Sequence, residues 1–304
     1  MNIHCSCCIS RMKYLIVKGW LGFGDRLESL KMCVHYAIEH KLQIYVDWTD
    51  SIWSHGDESF YTYFKLVNMP VLKSLDDIPE DATYFPTYWK GNIKTPFSQE
   101  LFLKQNELGL NVGILGPTTP TSADVLVHSS FSNRTLYNDS TFFANVFRVI
   151  DPRITVPVFQ RQAEHKLSSS IGFHIRGTDR TRNRARLELS VQFMAVNAVS
   201  HGAFSGQKMI AVGDDAYSIE IWKRYFPNTV VFSKLVLANT SAKGNHNATK
   251  EELVSSKDSM NIEMLVDFFT LASCSRIITT FKDSRFAQEA RRLAPTISTI
   301  LRNE

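Results

Sequence analysis

The sequence contains no apolar run of about 18 residues, the length a helix needs to cross a bilayer. Its first ten residues, MNIHCSCCIS, lack the apolar core of a secretory signal. Cysteine is scarce: Cys5, Cys7, Cys8, Cys33 and Cys274 make an odd five. That count and scattered spacing argue against a disulfide framework and favour a reducing compartment, so a cytoplasmic location is expected. The sequons at Asn133, Asn138, Asn239 and Asn247 then read as chance matches. His4 stands beside Cys5, Cys7 and Cys8, but no partner pair follows at zinc-ligand spacing. The net charge of +4 is mild. It admits an anionic small molecule and lacks the concentrated basic stripes of a nucleic-acid binder. Also missing are Gly-x-x-x-x-Gly-Lys-Ser/Thr, His-Glu-x-x-His and Gly-x-Ser-x-Gly, so the P-loop, zinc-protease and serine-hydrolase readings lose most of their support. No Asp-x-Asp pair stands at a predicted strand end, so no metal is expected.

What is present is a globular composition, 44% hydrophobic and 21% charged, in 304 residues, enough for two domains. Tyr14 to Lys18 reads as a strand, Gly19 to Gly24 as a glycine-rich turn, Asp25 to His40 as an amphipathic helix capped by Asp25, and Gln43 to Trp48 as a second strand. This βαβ unit predicts a parallel sheet. Ser51 to Asn68 is aromatic-rich, with short helices expected, and Leu110–Leu115 and Asp124–His128 look like strands. Pro152 and Pro157 flank a mixed segment, followed by a helix over Phe159–Leu167. The second half repeats the rhythm. Strands are expected at 170–175, 208–212, 229–233, 276–280 and 296–301. Helices are expected at 191–199 (capped by Ser190), 217–226, 260–274 and 284–293. A polar loop covers 235–257. Two βα halves with a cleft between them follow, divided near residues 150–168.

The most informative segment is Gly172-Phe173-His174-Ile175-Arg176-Gly177-Thr178-Asp179-Arg180. A short buried strand runs into a turn carrying His, two Arg, Thr and Asp. Ligands of open α/β sheets bind at the carboxyl ends of strands, and the planar fork of Arg matches phosphate oxygens. Gly213-Asp214-Asp215 and Thr279 to Ser284 also follow predicted strands, so a parallel sheet places all three turns on one edge. Arg176 would bind phosphate, Asp214 or Asp267 a base or ribose, and Thr279, Thr280 and Ser284 a further phosphate oxygen. Helix capping is the plainer reading of Asp214 and Asp215. Asp267 interrupts an apolar helical face and needs a partner, either a ligand or a structural Arg. Gly22 and Gly24 ahead of a helix, with Asp47 beyond, also suggest a dinucleotide turn, although Leu27 replaces the third glycine.

The segment 172–180 resembles the first motif of the α1,6-fucosyltransferases, including the nodulation fucosyltransferases, and more distantly the protein O-fucosyltransferases. Ala211-Val212-Gly213-Asp214-Asp215 is similar to their second motif, and Asp267 through Thr280-Phe281 and Ser284 to their third. Gly22-Phe23-Gly24-Asp25-Arg26-Leu27 resembles their amino-terminal Gly-x-Gly-Asn-Arg-Leu turn. The resemblance is detailed over about forty residues. It implies a GT-B-like α/β fold of two Rossmann-like domains, residues 1–160 on the acceptor side and 161–304 binding the nucleotide sugar. It also implies inverting, metal-independent transfer of fucose from GDP-fucose to a glycan or other hydroxyl acceptor.

By matching positions, His174 and Asp267 would lie near guanine and ribose. Arg176 would grip the diphosphate with Thr280 or Ser284, and Asp179 and Arg180 would sit near the sugar. Gly22, Gly24, Arg26 and Asp214 complete the expected donor contacts. The chain carries Arg184 where core fucosyltransferases have a Glu, and Lys282-Asp283 where a Ser pair is expected. Glu188, Asp179 or a carboxylate from the first half is then the candidate base. Trp48, Trp53, Tyr61 and Tyr63 would face the acceptor or fill the core. Two competing readings remain: a nucleotide-sugar-binding protein without turnover, and a nicotinamide oxidoreductase built on Gly22, Gly24 and Asp47.

Overall fold

A computed structural model describes residues 13–110, 122–129, 139–177, 184–200, 206–234, 249–253 and 255–302. The cysteine cluster at 5–8, the four sequons, Asp179, Arg180, and most of the expected 110–115 strand and 235–257 loop lie outside these residues.

The first half contains β1 (Tyr14–Lys18), α1 (Phe23–Glu39), β2 (Gln43–Asp47), α2 (Phe60–Tyr63), β3 (Phe64–Leu66), β4 (Tyr84–Phe85), α3 (Gln99–Leu103), β5 (Val125–His128), α4 (Ser140–Val146) and β6 (Phe147–Val149). Among the described residues, β2, β1, β5 and β4 form a parallel sheet in that order, and β3 pairs antiparallel with β6. The expected βαβ unit is present: β1 is buried along its whole length, and α1 buries Leu27, Leu30, Cys33, Val34 and Ala37. The helix cap is Gly22, not Asp25. Extended backbone at Gly22 starts the helix, and Asp25, two residues inside it, returns its N–H to the Gly22 carbonyl at 3.0 Å.

The second half contains α5 (Pro152–His165), β7 (Ile171–Ile175), α6 (Arg184–Ser200), β8 (Met209–Gly213), α7 (Ala216–Tyr225), β9 (Val230–Val231), α8 (Lys257–Ala272), β10 (Arg276–Thr279), α9 (Arg285–Leu293) and α10 (Ile297–Leu301). Its parallel sheet runs β10, β7, β8, β9. Three expectations are corrected. α5 starts at Pro152, where proline is favoured, with Asp151 capping Arg153 N, and it absorbs Pro157. α6 starts before Ser190, whose hydroxyl bonds back to the Arg186 carbonyl within the helix. Residues 297–301 form a helix rather than a strand. Ile297, Ile300 and Leu301 lie at helical spacing and are buried, so packing overrides the β-branched propensity.

The two halves share a core. Phe23 of α1 packs edge-on against Phe268 of α8, with ring centroids 4.8 Å apart. α1 lies along α9, and α10 packs on α4 and β6 of the first half. Within this contact Lys31 Nζ meets Glu289 Oε2 at 2.6 Å, both side chains buried. Arg285 and Arg292 of α9 each reach Glu28 of α1 at 3.4 Å. Cys33 and Cys274 are buried free thiols; Cys274 falls just past α8 rather than inside it. Among the described residues no helix is long and apolar enough to cross a membrane.

Candidate functional site

Adjacency of β10, β7 and β8 brings the three polar turns to one edge of the second sheet. In the register, His174 pairs with Thr279 on one side and Val212 on the other, and Ile175 pairs with Gly213. The buried part of each strand fixes its place in the sheet, and the first residues beyond it form the site.

Arg176 is the first residue past β7 and is held by its backbone. Thr280 Oγ1 accepts the Arg176 N–H at 3.0 Å and donates to the Arg176 carbonyl at 3.3 Å, while Thr280 N–H reaches the His174 carbonyl at 3.2 Å. Gly177 follows. Its N–H donates to Asp214 Oδ1 at 2.7 Å. A Cβ on Gly177 would stand 2.4 Å from Ser218 Oγ and 2.8 Å from Asp215 Cβ, so only glycine lets the turn press onto the start of α7. The two aspartates of the second turn therefore divide the work. Asp215 caps α7 through Ser218 N and Oγ, at 2.8 and 2.6 Å, and Asp214 holds the turn that presents Arg176.

His174 is buried at the end of β7. Its Nδ1 lies 3.2 Å from Thr279 Oγ1 and 3.3 Å from Ser284 Oγ, and its ring stacks on Phe286 at 4.9 Å. Ser284 precedes α9 without using its side chain to cap it; the hydroxyl turns to His174 instead.

Asp267 has a structural Arg. Arg161 of α5 reaches its Oδ1 at 3.1 Å, and Ser233 Oγ donates to its Oδ2 at 2.5 Å. Arg161 also bonds Thr270 Oγ1 and lies over the Phe232 ring at 4.3 Å. Ser233 Oγ in turn accepts the Gly213 N–H at 2.8 Å, so the network supports the end of β8. Burial pushes Asp267 up to about 6 against the opposing pull of Ser233 and Arg161. Sequence reasoning anticipated a partner but not its identity. Arg161 is 106 positions away in the chain, and only the packing of α5 on α8 joins them.

Arg26 was expected among the donor ligands, yet its guanidinium is buried and committed. It makes a bidentate pair with Asp50 at 2.8 and 2.7 Å and donates to the Leu21 carbonyl at 2.8 Å. Gly22 caps α1. Gly24 is needed for contact between the halves: a Cβ there would stand 2.5 Å from the Arg285 carbonyl carbon. Asp47, the dinucleotide candidate, is engaged by Lys18 Nζ and Thr49 Oγ1, each at 2.5 Å. Glu188 accepts the Tyr217 hydroxyl, joining α6 to α7. Trp48, Trp53 and Tyr63 are core residues, 1%, 2% and 0% exposed, and Tyr61 is partly buried against the same core. Trp48 also borders the pocket beside β1.

No protein-family model and no curated protein matches the chain. Solved structures do. The fucosyltransferase NodZ from Bradyrhizobium superposes with a TM-score of 0.67 and 20% identity, over 94% of each chain. The NodZ alpha-1,6-fucosyltransferase soaked with GDP-fucose gives 0.66 and 18% over 93% of each. POFUT1 in complex with GDP gives 0.55 and 11% over 95% of this chain and 97% of that one. At these identities the likeness establishes architecture: the chain is an α/β protein of the GT-B fold, built on two Rossmann-like sheets.

Proposed function

We propose that this protein is a glycosyltransferase that moves fucose from GDP-fucose to a hydroxyl of a glycan or other acceptor, with inversion and without a metal. The observation that carries the reading is the rigid presentation of Arg176. Thr280 clamps its backbone, and Asp214 fixes the next residue, at the edge where β7, β8 and β10 end together. A fork of donors held there can bind a diphosphate and stabilise the charge that builds on it as the sugar departs. His174 and Ser284, joined through Nδ1 and Oγ at 3.3 Å, and Thr280 stand at the same strand ends, and Asp179 and Arg180 follow Arg176 in the sequence. Structures of similar fold carry GDP or GDP-fucose, which supports the choice of nucleotide.

Thermal shift with GDP, GDP-fucose, UDP and NAD, followed by turnover of labelled GDP-fucose, tests the reading. Stabilisation by the guanine nucleotides and release of GDP are expected. With binding at 100 times the dissociation constant, the gain is about 2.7 kcal/mol. Stabilisation by NAD but not GDP would overturn it.

A further inference from the structure

A pocket opens at the carboxyl edge of the first sheet, between the end of β1, the first turn of α1 and the residue after β5. Beneath its open mouth it encloses only about 10 Å³, room for a single water-sized group such as a hydroxyl, and Lys18, Trp20, Asp25, Trp48 and Ser129 are among its walls. Two of these residues carry orphaned polar groups. Trp20 Nε1 and Ser129 Oγ are buried with no hydrogen-bond partner among the described residues. Leaving such a group buried and unpaired is costly, and a hydroxyl entering the pocket supplies the missing partner. Asp25 lines the same pocket: it is half-buried, and its carboxylate is hydrogen-bonded by its own backbone N–H.

Asp25 stands where the halves meet. The neighbouring Gly24 touches the Arg285 backbone, and the guanidiniums of Arg285 and Arg176 are close enough to act on the Asp25 carboxylate. Lys18 and Arg26, which also border the pocket, are engaged by Asp47 and Asp50. Desolvation still holds Asp25 above the ordinary carboxylate range, helped by Glu28 one turn along and opposed by the two arginines. An asparagine would fill this place without that cost. A carboxylate kept there against its solvation suits proton transfer.

We propose that Asp25 is the general base of the transfer, accepting the proton of an acceptor hydroxyl seated in this pocket. The inference rests on the nucleotide-sugar reading above. As the acceptor oxygen bonds to the anomeric carbon, its proton passes to Asp25. The bond from that carbon to the GDP β-phosphate oxygen breaks, and its electron pair leaves with GDP against Arg176. Asp25 then returns the proton to solvent. This places a base in the first half, which Glu188, tied to Tyr217, does not supply.

The test compares wild type with Asp25→Asn and Asp25→Ala for GDP thermal shift and for steady-state turnover of GDP-fucose, to water and to saccharide acceptors, from pH 5 to 8. Both variants should keep the GDP shift and the donor KM within about threefold. Their kcat should fall by about 100-fold or more. The wild-type profile should show an acid limb above the ordinary carboxylate range, absent in the variants. Asp25→Asn should melt no lower than wild type. A kcat preserved in Asp25→Asn, or a wild type that binds GDP and turns nothing over, overturns the assignment of Asp25. A wild type that GDP does not stabilise overturns the nucleotide-sugar reading itself, and this inference with it.

Discussion

Thr280 holds Arg176 by both ends of its peptide, accepting the N–H at 3.0 Å and donating to the carbonyl at 3.3 Å across the gap between β10 and β7. The backbone that carries the guanidinium is thus fixed by a residue 104 positions away. Replacing Thr280 with Val keeps the shape and removes both bonds. A loss of about 1–3 kcal/mol in stability is expected from urea denaturation, with weaker GDP stabilisation. Arg176→Lys keeps the charge but loses the fork. It should weaken GDP binding with little change in melting temperature without ligand; unchanged GDP binding would remove Arg176 from the diphosphate site.

Asp267 depends on Arg161. Arg161→Ala leaves a buried carboxylate without its counter-ion and should cost about 3–5 kcal/mol by denaturant titration. Asp267→Asn, which keeps a side-chain oxygen and removes the desolvated charge, should cost less. The pH dependence has a definite sign. Folded Asp267 binds a proton near 6, whereas the unfolded group does so near 3.8. The folded state therefore takes up the proton first as pH falls. Wild-type stability relative to Asp267→Asn should improve from pH 7 to pH 5. An opposite or flat trend would show that Arg161 and Ser233 outweigh burial.

The Lys31–Glu289 pair is enclosed between α1 and α9. Burial pulls the Lys31 ammonium below its ordinary range while Glu289 pulls it back. Either single change, Lys31→Met or Glu289→Gln, should cost several kcal/mol, about 3–5 for a fully broken buried pair. The double variant should cost less than the sum, by about 0.5–3 kcal/mol of coupling. Additive losses would mean that the two charges do not act as a pair.

Gly24→Ala tests the close approach of the halves. Its Cβ would meet the Arg285 carbonyl carbon at 2.5 Å and the Phe286 nitrogen at 2.7 Å, both backbone atoms that cannot turn aside. A loss of about 1–3 kcal/mol is expected from the forced shift. Gly22→Ala meets only Asp25 Oδ2, at 3.7 Å, and should be far milder. Equal melting temperatures for the two variants would contradict this packing.

The sequence by itself determined the alternation of strands and helices in both halves, because buried parallel strands read as short apolar runs and their helices as one-sided stripes. It also determined that the polar turns after β7, β8 and β10 share an edge, since parallel strands put their carboxyl ends together. Tertiary structure decided what each polar residue does there. Arg26 has the charge of a phosphate ligand, but folding places Asp50 against it and closes the fork. Asp267 looked equally fit for a ribose or an arginine, and the packing of α5 on α8 supplied Arg161. Ile297 to Leu301 favoured a strand by propensity, but contact with α4 and β6 makes it a helix. Asp25 read as a helix cap, yet the approach of α9 to α1 turns it into a desolvated carboxylate near two arginines. In each case the deciding partner is remote in sequence. Local pattern fixes an element and the side chains at its end, and only folding fixes which charge stands opposite.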